Sequence, residues 1–186
     1  QGPVYYNDYL MLEKFLDCQQ PLSRKYADQS NPEAHDETLF IVVHQAYELW
    51  FKQILHDLNS ILKIFSQSKV HDHELGTVVQ RLERIRKIQV MIGSQLEILE
   101  SMTPMDFLEF RNLLIPASGF QSTQFREIEI KLGLNTHDRQ SIDREFFLGR
   151  LNEKDRQKLI ELEGSPSLLK LLEAWLERTP FTISGD

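Results

Sequence analysis

The sequence predicts an all-α protein, a helical bundle built around two long helices. Three observations carry that prediction. Apolar residues recur at helical spacing through long stretches of the chain. Proline and glycine are few, at 7 and 8, and fall between those stretches. No two alternating apolar runs are joined by a hairpin turn.

The 186 residues suffice for one domain, and residues 1–186 are read as one, with a helical core over 36–178. With 41% hydrophobic and 26% charged residues, the composition is that of an ordinary globular chain. Lys plus Arg number 21 against 28 Asp plus Glu, a net charge of −7. A surface for nucleic acid or anionic membrane needs a basic field, so neither is expected. The single cysteine, Cys18, has no internal disulfide partner, and no Cys/His zinc spacing occurs. A reducing cytoplasm fits. The opening "QGPVYYNDYL" has no basic segment followed by an apolar one, and no apolar run approaches a membrane span.

The elements follow in order. A first helix is expected from Tyr6 to Cys18. Pro21 and Pro32 make Gln20 to His35 a loop. A long helix starts near Asp36, read as its N-cap with Glu37 in the first turn, and covers Thr38 to Phe65. His71 to Gly76 reads as a break. A second long helix covers Val78 to Met102, with Leu82, Ile85, Ile92, Leu96 and Leu99 at helical spacing. Pro104 suits the first position of a shorter helix through Phe107, Phe110 and Leu114, which Pro116 ends. Ser118 and Gln121 have capping-box spacing for a helix from near Gln121 to Leu132. Asn135 to Gly149 is polar and gives no clear signal. Helices resume at Glu153 to Glu163 and at Ser167 to Arg178.

Four stretches depart from plain packing. In "FIVVHQAYELWFKQIL", about 100° per residue puts Phe40, His44, Tyr47, Phe51, Leu55, Leu58, Leu62 and Phe65 on one stripe. Trp50, Val43 and Ile54 widen it, while Lys52, His56 and Lys63 fall opposite. His44 is then either a core histidine bonded to a neighbouring helix or the lining of a ligand cavity. In "DFLEFRNLL", Phe107, Arg111 and Leu114 share a face. Arg111 either snorkels past its apolar neighbours or presents its fork to a carboxylate. "IPASGFQS" is either a capped turn or a place where Gly119 lets another group approach the backbone. Tyr6 and Tyr9 in "YYNDYL" either dock on the body of the protein or cover a pocket, on this subunit or another. The basic cluster Arg81 to Lys87 reads as a solvated face.

Taken together, "YNDYLMLEKFLDCQQPLS", "HDETLFIVVHQAYELWFKQILHDL", "LESMTPMDF" and "FRNLLIPASGFQSTQFR" closely resemble the tryptophan 2,3-dioxygenase family. The blocks stand in the family's order from Tyr6 to about Gly133, roughly two-thirds of the chain. The resemblance implies a bundle of the tryptophan/indoleamine dioxygenase type with a haem pocket between long helices. It implies haem b as cofactor, and L-tryptophan and O2 as substrates. The product is N-formyl-L-kynurenine, the first step of tryptophan catabolism by the kynurenine pathway. His44 matches the distal histidine that meets the indole N–H, and Phe40 packs on the substrate one turn earlier. Arg111 matches the arginine for the substrate carboxylate, with Phe107, tyrosine in some relatives, lining the site. Leu114, Ser118 and Gly119 match the loop over the haem. Tyr6, Tyr9 and Leu10 match the segment, within residues 1–20, that reaches into a neighbouring subunit's site in a homotetramer.

The family's iron-ligating histidine lies beyond the length of this chain. His71, His73 and His137 do not match it, so no metal ligand is assigned. The chain is expected to be the N-terminal portion of a longer enzyme, or to work with a separate polypeptide carrying the C-terminal half. The alternatives are a related haem-dependent aromatic amino-acid hydroxylase and a haem-free helical interaction module.

Overall fold

A computed structural model describes residues 2–134 and 148–179. Among them every regular element is helical. These are α1 (Tyr6–Leu10), α2 (Leu12–Phe15), α3 (Leu22–Lys25), α4 (Asp36–Phe65), α5 (Asp72–Ser94), α6 (Leu96–Leu99), α7 (Pro104–Arg111) and α8 (Thr123–Leu132). Two further helices, Glu153–Glu163 and Leu168–Arg178, and 3-10 turns at Asn112–Leu114 and Gly119–Gln121 complete them. No described helix is long and apolar enough to cross a membrane. His137 and most of the polar stretch Asn135 to Gly149 lie outside the described residues.

The chain divides into two compact units. One comprises residues 1–46 and 94–118, the other residues 47–93 and 119–186, so α4 contributes to both.

The second unit holds the larger core. Ile54, Leu58, Ile61 and Phe65 of α4 meet Val78, Ile85 and Ile88 of α5, Ile128 of α8 and Leu168. Burying each such side chain contributes about 1.5–3 kcal/mol. Asp57 is 2% exposed on the same length of α4. Its carboxylate accepts from Arg84 at 3.0 Å and from Gln53 at 3.0 Å, so the buried charge is paired. Arg84 belongs to the cluster read as a solvated face, and here it bridges α5 to α4. Glu127, also buried, takes Lys131 at 3.0 Å and Lys158 at 2.6 Å. Burial pushes its carboxyl up, but the two ammonium groups hold it below the ordinary glutamate range. Gly133 ends α8 at φ +106, in the left-handed region, and a Cβ there would come within 2.9 Å of Leu169 Cβ. Both constraints require glycine.

The first unit is smaller and rests on α7 and the start of α4. Thr103 and Asp106 form a capping box, with Thr103 Oγ1 accepting the Asp106 N–H at 3.2 Å and Asp106 Oδ2 accepting the Thr103 N–H at 2.9 Å. Pro104 takes the first helical position as expected. Glu37 is 1% exposed, and its two carboxylate oxygens accept the Leu22 and Ser23 N–H groups, each at 2.8 Å. Ser23 Oγ in turn accepts the Ala34 N–H at 3.1 Å. These bonds pin the stretch from Pro21 to Ala34, expected to be a plain loop, around the single turn α3. That turn lies against Asn112–Leu114.

Several expected boundaries shift. The first helix breaks at Met11, a non-glycine at φ 52. Almost all of residues 2–18 are exposed, so no packing holds a longer helix together. Asp36 is the first residue of α4 rather than its cap. α5 starts at Asp72, inside the expected break, because Glu74 Oε2 accepts the His71 N–H at 2.9 Å and one interior Gly76 costs only about 1 kcal/mol. α5 ends at Ser94, after which Ile98 and Met102 bond to Gln95 and Leu99 three residues back, a tighter winding. Ser122, not Ser118, caps α8, accepting the Phe125 N–H at 3.2 Å.

Candidate functional site

The stripe read along α4 is closed over Ile54 to Phe65 and only half-buried from Phe40 to Phe51. Trp50, expected on the buried face, is 37% exposed. His56 is exposed, as its polar face predicts. The candidate site is formed within the first unit by Phe40 and His44, at the start of that stripe, with α7.

Phe40 and His44 stand one turn apart on α4, their rings 4.1 Å between centroids. Phe107 lies 5.8 Å and Phe110 5.5 Å from Phe40, and the two α7 rings meet edge-on at 5.4 Å. Edge and tilted packing at these separations is the favoured aromatic geometry. Phe110 is fully buried and forms the base of the cluster, while Phe40, Phe107 and His44 keep exposed area. Sequence reading placed Phe110 only as a helix residue. Its three-residue offset from Phe107 is the signal that both rings face one way.

The His44 imidazole has a defined orientation. Its Nδ1 lies 2.7 Å from the carbonyl oxygen of Phe40. A carbonyl oxygen only accepts, so Nδ1 carries the hydrogen. The lone pair of the neutral ring is therefore on Nε2. In that tautomer Nε2 is the acceptor nitrogen of the ring.

Arg111 closes α7, half-buried, with its guanidinium carbon 5.9 Å from the centre of the Phe107 ring. No carboxylate pairs with it among the described residues. An aromatic face, an oriented imidazole and a cation thus occur within one unit. That set matches an aromatic group bearing an N–H and a carboxylate.

Leu114 sits in the 3-10 turn directly after Arg111, and Ser118 follows at the end of the first unit, both half-buried. Gly119 belongs to the second unit, and a Cβ there would meet no atom within 4 Å. The chain's own packing gives no reason for a glycine at that position. Tyr6, Tyr9 and Leu10 are 72%, 76% and 42% exposed and do not join the aromatic cluster. Their arm is anchored at its base, where Gln45 Nε2 donates to the Cys18 carbonyl at 3.1 Å and Gln19 Nε2 to Gln45 Oε1 at 2.5 Å.

Among the described residues no group of three or more His, Cys, Asp or Glu side chains could hold a metal ion. His71, just before α5, and His73 in its first turn stack at 5.6 Å, and both are exposed.

The family model for tryptophan 2,3-dioxygenase matches residues 1–185. A tryptophan 2,3-dioxygenase of Alteromonas mediterranea is 50% identical over 99% of this chain and 50% of its own length. That of Bdellovibrio bacteriovorus is 49% identical over 96% of this chain and 49% of its own. That of Dictyostelium discoideum is 48% identical over 97% of this chain and 44% of its own. The chain spans about half the length of the curated relatives it matches. A family match over nearly every residue, joined to an aromatic, histidine and arginine cluster on the expected helices, places this chain in the tryptophan 2,3-dioxygenase family.

Proposed function

We propose that this chain carries the amino-acid side of a haem-dependent dioxygenase that opens the indole ring of L-tryptophan with O2, giving N-formyl-L-kynurenine. The observation that carries the reading is the orientation of His44. With Nδ1 bonded to the Phe40 carbonyl at 2.7 Å, Nε2 is the acceptor that an indole N–H requires.

The other residues take roles that follow from their chemistry. Phe40 and Phe107 offer flat apolar faces to the indole, and excluding water there strengthens each polar contact. Arg111 recognises the carboxylate and so fixes which end of the substrate lies at the arginine. An analogue without a carboxylate would leave that cation without its partner. His44 orients the indole and accepts its N–H, and can take up that proton as the ring is oxidised.

Haem b suits part of this site. Within the first unit, the half-buried aromatic wall and the half-buried Leu114 and Ser118 would suit a flat apolar group. His44, with Nδ1 bonded to the Phe40 carbonyl, would serve the substrate rather than the iron. Bound haem would supply the one-electron chemistry that lets O2 react with a closed-shell indole. The half-length match to full relatives supports a further polypeptide segment, in the same chain or a separate one, that completes the haem site.

The exposed, anchored arm with Tyr6, Tyr9 and Leu10 supports its crossing to a neighbouring subunit of a homotetramer. The single unpaired Cys18 supports a reducing, cytoplasmic setting.

Turnover of L-tryptophan by haem-loaded protein under 18O2 tests the reading. Ring opening places both labelled atoms in formylkynurenine. One labelled atom in a hydroxylated amino acid assigns the hydroxylase instead. Protein that takes up no haem, and shows no Soret band, is the interaction module.

A further inference from the structure

The buried acid Glu37 stands on the same face of α4 as the candidate site. It precedes Phe40 by three residues and His44 by seven. At about 100° per residue the three fall within an arc of about 60°. Glu37 is 1% exposed. No Lys or Arg pairs with it among the described residues. Its carboxylate oxygens instead accept the N–H groups of Leu22 and Ser23, each at 2.8 Å, 15 and 14 residues earlier in the chain.

Those two N–H groups open α3, a single turn of four residues. One turn has little stability of its own, because nucleation fixes several residues for one hydrogen bond. Water satisfies the first N–H groups of an exposed helix without help. A buried carboxylate in that place has to give up its own hydration, so hydrogen bonding alone does not require it. What it adds is a fixed distance between α4 and α3. Ser23 Oγ, accepting the Ala34 N–H at 3.1 Å, ties the same turn to the chain just before α4.

From α3 the contacts lead back to the site. α3 lies against the turn Asn112–Leu114, and Arg111 both closes α7 and opens that turn. Phe107 and Phe110 hold α7 to Phe40 through their rings, at 5.8 and 5.5 Å. Arg111 therefore sits between two links to α4. One is ring packing on Phe40, and the other runs from Glu37 through α3 to the turn. Every residue on both links belongs to the first unit.

We propose that Glu37 is a positioning residue for the arginine end of the candidate site. Through Leu22 and Ser23 it holds α3 against the turn after Arg111, and so sets how far the guanidinium stands from the Phe40 and His44 rings. The inference rests on the reading of Arg111 as the partner of the substrate carboxylate. It adds that an acid two turns before His44 decides how well an aromatic amino acid spans the two ends.

A double-mutant cycle with Arg111 tests it. Glu37→Gln keeps the length of the side chain and exchanges one acceptor oxygen for a donor NH2, so one of the two bonds to α3 is lost. The readout is calorimetry on haem-loaded protein with L-tryptophan and with tryptamine, which has the indole and the amine without the carboxylate. Glu37→Gln should weaken L-tryptophan about ten-fold, because a small displacement of an aligned group has an effect of that order. Tryptamine should weaken by less than about two-fold. In an Arg111→Ala background, Glu37→Gln should change L-tryptophan affinity by less than about two-fold. Leu22→Pro removes one donor from the other end of the link, and proline suits the first position of a helix. It should give the same pattern, and it carries the comparison if Glu37→Gln does not fold. Equal losses on the two ligands, no loss on either, or a loss on L-tryptophan that persists without Arg111 overturns the proposal and leaves Glu37 a structural residue. If Arg111→Ala alone weakens both ligands alike, the reading of Arg111 fails, and the positioning role fails with it.

Discussion

The guanidinium of Arg111 lies 5.9 Å from the centre of the Phe107 ring, one turn back on the same helix. The ring holds the cation at the end of α7 without neutralising it, so the charge stays available to an anion. Arg111→Ala should weaken L-tryptophan binding by about 2–5 kcal/mol, the range for a desolvated charge pair that loses one partner. Indole-type ligands without a carboxylate should lose far less. Calorimetry on both ligand classes decides it, and equal losses would make Arg111 a packing residue.

Glu37 is the buried acid that joins the start of α4 to α3. Its two oxygens hold the Leu22 and Ser23 N–H groups, and α3 rests against the turn that carries Leu114. Glu37→Ala leaves these donors without their carboxylate acceptor, at about 1–3 kcal/mol for each donor that finds no other. Urea unfolding should show that loss. A variant within about 0.5 kcal/mol of the parent would mean that water replaces the carboxylate without cost.

Glu127 predicts a pH dependence. Its folded pKa lies below the ordinary value of 4.5, so its contribution to stability is present above that pH and is lost as pH falls through the folded value. Glu127→Gln should flatten the fall in stability on the acid side of about pH 4.5. Denaturant midpoints from neutral to acid pH measure the slope, and an unchanged slope would show that Lys131 and Lys158 do not act on this carboxylate.

The helices were largely legible because their signals are local. Pro104 marks the start of α7, and the Glu153–Glu163 helix matches its expected bounds. The same sequence hid a capping box in "TPMD", although a threonine three residues before an acid is a local signal. The buried acids were not legible, since Asp57 meets Arg84 on another helix and Glu37 meets a turn that precedes it. Met11 carries no sequence mark of its left-handed backbone. At the candidate site, the helical offsets and the family resemblance put Phe40, His44, Phe107 and Arg111 together. The hydrogen bond that fixes the His44 ring depends on a side-chain rotamer, which spacing does not encode.

The central claim is that His44 accepts the indole N–H through Nε2. His44→Ala in haem-loaded protein, assayed on L-tryptophan and on 1-methyl-tryptophan, tests it most directly. Haem should stay bound, with its Soret band intact. Turnover of L-tryptophan should fall about ten- to a hundred-fold, the worth of one hydrogen bond to substrate, and turnover of the N-methylated analogue, which has no N–H to offer, should fall much less. Loss of haem from otherwise folded protein, or equal losses on the two substrates, would contradict it.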